Sequence, residues 1–241
     1  MEKVMTDTPT KTQWLAARLE LLKKEKAHAR LGDELAAQRR TMPKLKVAQN
    51  YVFNAPNGEV SLSELFAQRS QLIVQHFMFG ADWEEGCPSC SFWADGYNPM
   101  IVHLNQRDVS FAVVSTAPVG QLEAYKKRMG WDFPWFSSAN SSFNADFEVS
   151  PTEQQLAAGQ MRYNYQDSPI RGNESHGVSV FERDSDGVIY HTYSTYARGL
   201  DRMNAAYGYL DLCPKGRQEE DLPYGLAWVK RHDEYGIDGP T

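Results

Sequence analysis

Two cysteines separated by two residues, in Cys87-Pro88-Ser89-Cys90, are the side chains of this sequence best suited to chemistry. A C-x-x-C pair supports dithiol–disulfide exchange or half of a metal site, or it is two unreactive thiols. Exchange needs an ionised first sulfur, and the unpaired N–H groups and positive dipole end of a helix N-terminus favour one. Pro88 fits such a place, because the N–H it lacks has no helical partner in the first turn. Cys90, one turn on, can then attack a mixed disulfide formed at Cys87. Asp82, Glu84 and Glu85 precede the pair, and each nearby carboxylate raises a thiol pKa. They predict a Cys87 less acidic than the nucleophile of a strongly oxidising dithiol protein. A structural zinc site wants four ligands, usually with a second cysteine pair. Only Cys213 remains, in DLCPKG, where it reads as a free thiol, so a metal must recruit histidines.

His76 lies in QLIVQHFMFG, the run leading into the pair, on a face with Leu72, Val74 and Met78. It reads either as a satisfied core histidine or as a proton relay for Cys90, since exchange moves protons with electrons. His191, Tyr193, Tyr196 and Arg198, in HTYSTYARG, read as a pocket lining or as an amphipathic strand end.

The elements that must position these groups follow from periodicity and turn signals. Residues 8–41 read as a helix with Thr8 as N-cap, Pro9 in the first turn and leucines at 15, 19, 22, 31 and 35. Asn57-Gly58 marks a tight turn, and Ser61 with Glu64 a capping box. Residues 71–80, apolar on both faces except for Gln75 and His76, read as a central covered strand. SFWADGYNPMIVHLNQ is a helix interrupted near Gly96 and Pro99, and 109–116 a second buried strand, parallel to the first through a right-handed crossover. A helix over 119–130 and a short strand in WDFPWFSS follow. The polar stretch 140–175 reads as loops with one helical turn. GVSVFERDSDGVIYHTYS is a hairpin turning at Asp186-Gly187, and YARGLDRMNAAYGYL is helical.

The chain has 241 residues and a formal net charge of -6, which argues against a general nucleic-acid binder. No run approaches the roughly 18 apolar residues of a membrane span, and MEKVMTDTPTKTQW lacks the apolar stretch of a signal peptide. A cytoplasmic protein is expected. There a close cysteine pair is more often catalytic or metal-binding than structural. No G-x-G-x-x-G after a strand and no P-loop is present, so no cofactor is expected.

Six stretches, WLAARLELLKKEKAHARLGDELAAQRRTMP, QHFMFG, GCPSCSFWADG, RMGWDFPWFSS, HTYSTYARGLD and YLDLCPKGR, resemble the thioredoxin-like family called domain of unknown function 899, described as predicted dithiol–disulfide oxidoreductases. They span about residues 14–217. The resemblance implies an α/β fold related to alkyl hydroperoxide reductase and thiol-specific antioxidant proteins. This is a three-layer sandwich with a mixed central sheet flanked by helices, behind an N-terminal helical arm. The family's dithiol carries over to Cys87 and Cys90, and His76 falls near the buried acid that thioredoxins carry on the preceding strand. Two positions depart. Peroxiredoxins place threonine or serine three residues before the peroxide-attacking cysteine; Glu84 stands here, which argues against efficient peroxide reduction. The thioredoxin cis-proline slot falls near Ser175-His176-Gly177, which leaves the dithiol open to metals and His176 within reach of Cys87.

The expected division is a helical arm over 1–43, a thioredoxin-like domain over 44–213 and a tail over 214–241. The leading function is thiol–disulfide exchange, with Cys87 as nucleophile, Cys90 resolving and His76 as relay, on a protein or small-molecule disulfide. Neither nucleic acid nor membrane is an expected partner, and the arm would serve a homodimer. A copper- or zinc-binding module using Cys87, Cys90 and His176, and an interaction protein with incidental thiols, remain as alternatives.

Overall fold

The computed structural model describes residues 8–236. The chain falls into two compact units, Met1–Pro43 and Lys44–Thr241. The first unit is built on one helix, α1 (Lys11–Arg40). Its N-cap is Thr10, two residues later than the Thr8-Pro9 pair suggested. Gln13 completes a capping box there: the Thr10 side chain accepts from the Gln13 N–H, and the Gln13 side chain accepts from the Thr10 N–H. None of the residues of α1 is buried.

The second unit opens with a short edge strand β1 (Leu45–Lys46) and the hairpin β2 (Val52–Ala55) and β3 (Gly58–Ser61). Its two-residue turn is Pro56-Asn57, one position earlier than expected, because Gly58 is already paired with Ala55 at φ +123°. A capping box between Ser61 and Glu64 starts α2 (Leu62–Leu65). Then come β4 (Gln71–His76), α3 (Pro88–Ala94), α4 (Tyr97–Asn105), β5 (Val109–Ser115), α5 (Val119–Arg128) and β6 (Trp135–Ser137). The interrupted helix is thus two helices parted at Asp95-Gly96, and Pro99 sits in the first turn of α4, where its missing N–H is harmless.

The polar stretch holds more order than its composition suggests. It contains α6 (Phe143–Asp146), α7 (Glu153–Ala158) and a separate hairpin, β7 (Gln160–Tyr163) with β8 (Gln166–Pro169). That hairpin turns on Asn164-Tyr165, both at positive φ, a conformation usually marked by Asn-Gly; Tyr165 hides the signal. The hairpin β9 (Gly177–Arg183) and β10 (Ile189–Tyr196) follows, with Gly187 at φ +82° in its turn. A 3-10 segment (Ala197–Met203), α8 (Ala205–Leu210) and a last 3-10 turn (His232–Glu234) complete the fold.

Eight strands form one sheet in the order β1-β10-β9-β4-β5-β6-β2-β3. β4, β5 and β6 are parallel, and β9 runs antiparallel to β4. The inner run β10-β9-β4-β5, with two parallel strands joined by a helical crossover and an antiparallel hairpin added beside the first of them, is thioredoxin-like. Strand alternation divides the core between the two faces. One face carries Phe111, Val113, Trp135 and Val178 under α3, α4 and α5, with Cys90 in that layer. The other carries Leu72, Val74, Ala112, Val114 and Phe181 against Leu62 and Leu65 of α2 and Phe143 of α6. The second unit is therefore a helix–sheet–helix sandwich. Each wholly buried aromatic, such as Phe77, Phe79 and Phe143, contributes roughly 1.5–3 kcal/mol. Among the described residues no helix is long and apolar enough to cross a membrane.

Candidate dithiol site

Cys87 is the N-cap of α3 and Pro88 its first helical residue. The loop from β4 brings it there through a backbone bridge: the Cys87 N–H donates to the Met78 carbonyl at 3.0 Å, and the Met78 N–H donates to the Cys90 sulfur at 3.4 Å. Both cysteines are free; Cys87 is partly exposed and Cys90 is 5% exposed beneath it. The thiol of Cys90 and the N–H groups of Ser89 and Cys90 favour the Cys87 thiolate, and together they outweigh its burial. The backbone contacts are looser than a formed N-cap hydrogen bond. The Cys87 pKa nonetheless falls from its ordinary value to about 7. Burial and the neighbouring Cys87 push the Cys90 thiol well above its ordinary value, and Glu174 adds to the rise. The pair is split into an easily ionised outer sulfur and a protonated inner one.

The acidic residues before the dithiol do not govern Cys87. Glu85 is engaged by Arg128 and Arg231, and Asp82 accepts a hydrogen bond from the Asn173 side chain at 3.0 Å. Arg231 comes from the C-terminal segment. Its Nη2 and Nε donate to the Gly86 carbonyl at 2.8 and 3.2 Å, and Nε also donates to the Tyr125 hydroxyl at 3.0 Å. Tyr125 is 2.8 Å from Ser91 Oγ, which donates to the Cys87 carbonyl. This brace closes around Gly86, where a side chain would meet the rings of Phe77 and Tyr125 at 2.8 Å.

His76 does not join the site. It projects with Leu72 and Val74 to the face opposite Cys90, stacked on Phe143 and Phe147. Its Nε2 lies 2.8 Å from Ser179 Oγ, which is 2.8 Å from Ser194 Oγ, which is 2.7 Å from His191 Nε2. Burial holds the His76 pKa down at about 3. The histidine is a neutral core residue, and the relay expected of it is not built. Parity is the physical reason: β4 turns successive side chains to opposite faces, so Gln75, not His76, points at the dithiol.

Gln75, Ser89, Cys90, Trp93, His176, Leu200 and Leu226 line a small, partly open cavity of about 10 Å³. His176 lines this cavity together with Cys90, and Cys87 does not. Among the described residues no three His, Cys, Asp or Glu side chains are grouped to hold a metal ion, so Cys87, Cys90 and His176 do not form a ligand trio. Peptide bonds of the described residues are all trans, including those at Ser175-His176-Gly177. Cys213 is exposed, and its thiol donates to the Tyr209 carbonyl.

Sequence reasoning missed Glu174. This buried carboxylate accepts from the hydroxyls of Thr116 and Ser150, and burial raises its pKa to about 7. It lies in an aperiodic stretch that carries no signal for it. Arg231 was equally invisible, whereas Gln75 was marked by being polar inside an apolar strand.

A family model described as bacterial protein of unknown function (DUF899) matches residues 4–235. Among solved structures the chain is similar to a peroxiredoxin Q of Xanthomonas campestris, at 12% identity over 68% of this chain and 95% of that one, with a TM-score of 0.46. It is also similar to peroxidoxin BcpB of Mycobacterium tuberculosis, at 15% identity over 67% and 95%, with a TM-score of 0.41. A third is a hypothetical protein of Sinorhizobium meliloti, at 13% identity over 63% and 70%, with a TM-score of 0.38. No curated protein matches the chain by sequence.

Proposed function

The chain belongs to the bacterial DUF899 family, and from that premise and the geometry of its dithiol we propose that it is a thiol–disulfide oxidoreductase. The observation that carries this reading is the asymmetry of the pair. Cys87 is reachable and readily ionised at the start of α3, and Cys90 is buried and protonated one turn below it. The Cys87 thiolate attacks a disulfide of a protein or small molecule, one sulfur of which leaves as a thiolate. Cys90 then attacks the Cys87 sulfur, releases the second thiolate and leaves Cys87 and Cys90 joined. The substrate disulfide gains two electrons and the dithiol loses them. A donor dithiol of the cytoplasm, the compartment proposed here, would restore the reduced pair.

A redox titration against dithiothreitol buffers, with alkylation and mass spectrometry, tests the reading. It expects two thiols, at Cys87 and Cys90, to disappear and return together. Thiols at these positions that stay alkylatable under oxidising buffers would overturn it.

A further inference from the structure

Resolution has a proton problem that the described mechanism leaves open. Cys90 must lose its proton to attack, yet it is buried and its thiol is held well above ordinary acidity. Little of Cys90 meets solvent, and the cavity beside it is lined mainly by apolar surface that includes Trp93, Leu200 and Leu226. A base must therefore be local.

Resting on the oxidoreductase reading, we propose that His176 accepts the Cys90 proton across the cavity that the two residues share with Gln75. The cavity, at about 10 Å³, has room for a single water. Its lining is mostly apolar, and the residues along it with polar side chains are Gln75, Ser89, Cys90 and His176. The backbone of His176 is held in place, because the Tyr163 hydroxyl donates to its carbonyl at 2.8 Å. The next residue, Gly177, packs directly under the Tyr196 ring, 2.5 Å from where a Cβ would lie. Burial keeps the imidazole neutral, and so able to accept, while a hydrogen bond with the Ala197 backbone and then the charge of Asp201 favour the imidazolium once formed.

The other groups around Cys90 serve less well. Glu174 does not line the cavity, and its carboxylate already accepts from Thr116 and Ser150. The Tyr97 hydroxyl is buried without a partner, and its own pKa is raised far above neutrality by burial. Tyr163 is raised as well, to about 12, mainly by burial. His76 is on the other face of the sheet.

The proton of Cys90 passes to His176, directly or through one water. The resulting thiolate forms a bond to Cys87 Sγ while the bond from Cys87 to the substrate sulfur breaks. The departing thiolate takes both electrons of that bond, and the proton on His176 goes to it or to solvent.

A symmetric nitrobenzoate disulfide separates the two halves, because each attack releases one coloured thiolate. The first release reports Cys87 and the second reports Cys90. In His176→Asn and His176→Gln the first release is expected to keep its rate, and the second to slow roughly 10²-fold. The wild-type second rate falls as pH drops and His176 protonates; the variants lose that inflection. A second release with unchanged rate and pH profile in a variant of native circular dichroism overturns the role of His176. A wild-type protein that releases only one equivalent instead overturns the oxidoreductase reading. Were both variants to misfold, the pH inflection of the wild-type second release would decide: its absence sinks the proposal.

Discussion

The guanidinium of Arg231 grips the carbonyl oxygen of Gly86, at 2.8 Å from Nη2, and so fastens the C-terminal segment to the residue just before Cys87. The arginine side chain is 12% exposed and also holds Tyr125, Glu85 and Glu234. Arg231→Ala leaves the Gly86 carbonyl and the Tyr125 hydroxyl short of a donor. A loss of about 2 kcal/mol is expected in urea unfolding, with faster alkylation of Cys87 as its loop loosens. An unchanged unfolding midpoint would show that the brace bears no strain of the fold.

Gly86 is small for space rather than for backbone freedom. A Cβ there would meet Phe77 and Tyr125 at 2.8 Å, both packed in the core layer around Cys90. Gly86→Ala is expected to cost about 1–3 kcal/mol and to slow substrate reduction by displacing Cys87. Native stability in the variant would mean that the two rings yield freely.

Alkylation of Cys87 by iodoacetamide should rise with pH around a midpoint near 7, where the sulfur ionises. An unperturbed thiol is only a few per cent thiolate at neutral pH, so the rate there exceeds that of a small-molecule thiol of ordinary acidity. Cys90→Ala raises the midpoint, because the Cys90 thiol is the largest of the influences that favour the Cys87 thiolate. A midpoint that stays put in this variant would remove the inner thiol from the account.

His76 and His191 make the fold sensitive to acid. Both have folded pKa values below the ordinary one, His76 at about 3. The unfolded chain takes up their protons below about pH 6.5, where the fold resists. The stability they contribute is whole above that value and is lost as pH falls towards 3. At about pH 5 the share of His76 amounts to about 2 kcal/mol. Thermal unfolding of His76→Gln should show a shallower loss between pH 6.5 and 5 than the wild type; parallel curves would contradict the buried, neutral assignment.

Glu174 titrates in the opposite sense. Its folded pKa is raised to about 7, so the fold holds its proton more tightly than the unfolded chain. That stability is complete below about pH 4.5 and is lost as pH rises through 7. Glu174→Gln should gain on the wild type at about pH 8, by up to about 3 kcal/mol, and not at pH 4.5. A variant uniformly weaker at both would show that the carboxylate's hydrogen bonds outweigh its desolvation.

Much of this protein was legible in local chemistry. Cys87, Pro88 and Cys90 announced a dithiol at a helix start, because N-terminal N–H groups need only the next few residues. The capping box at Ser61 and Glu64, and the runs that became β4 and β5, depend on neighbours a few positions away. The β7–β8 hairpin was not legible, since Asn164 and Tyr165 take a left-handed turn without the glycine that usually marks it.

Contacts across the chain were decided only by the tertiary structure. Alternation along β4 shows that Gln75 and His76 face opposite ways, but not which way the dithiol lies. α3 packing on one face settled that: it left His76 on the far side of the sheet and put His176 on the cavity beside Cys90. Arg231 reaches Gly86 across 145 positions, and Glu174 is buried by Thr116 and Ser150. No periodicity encodes such meetings, because they arise from long-range packing that brings together side chains with no local relation.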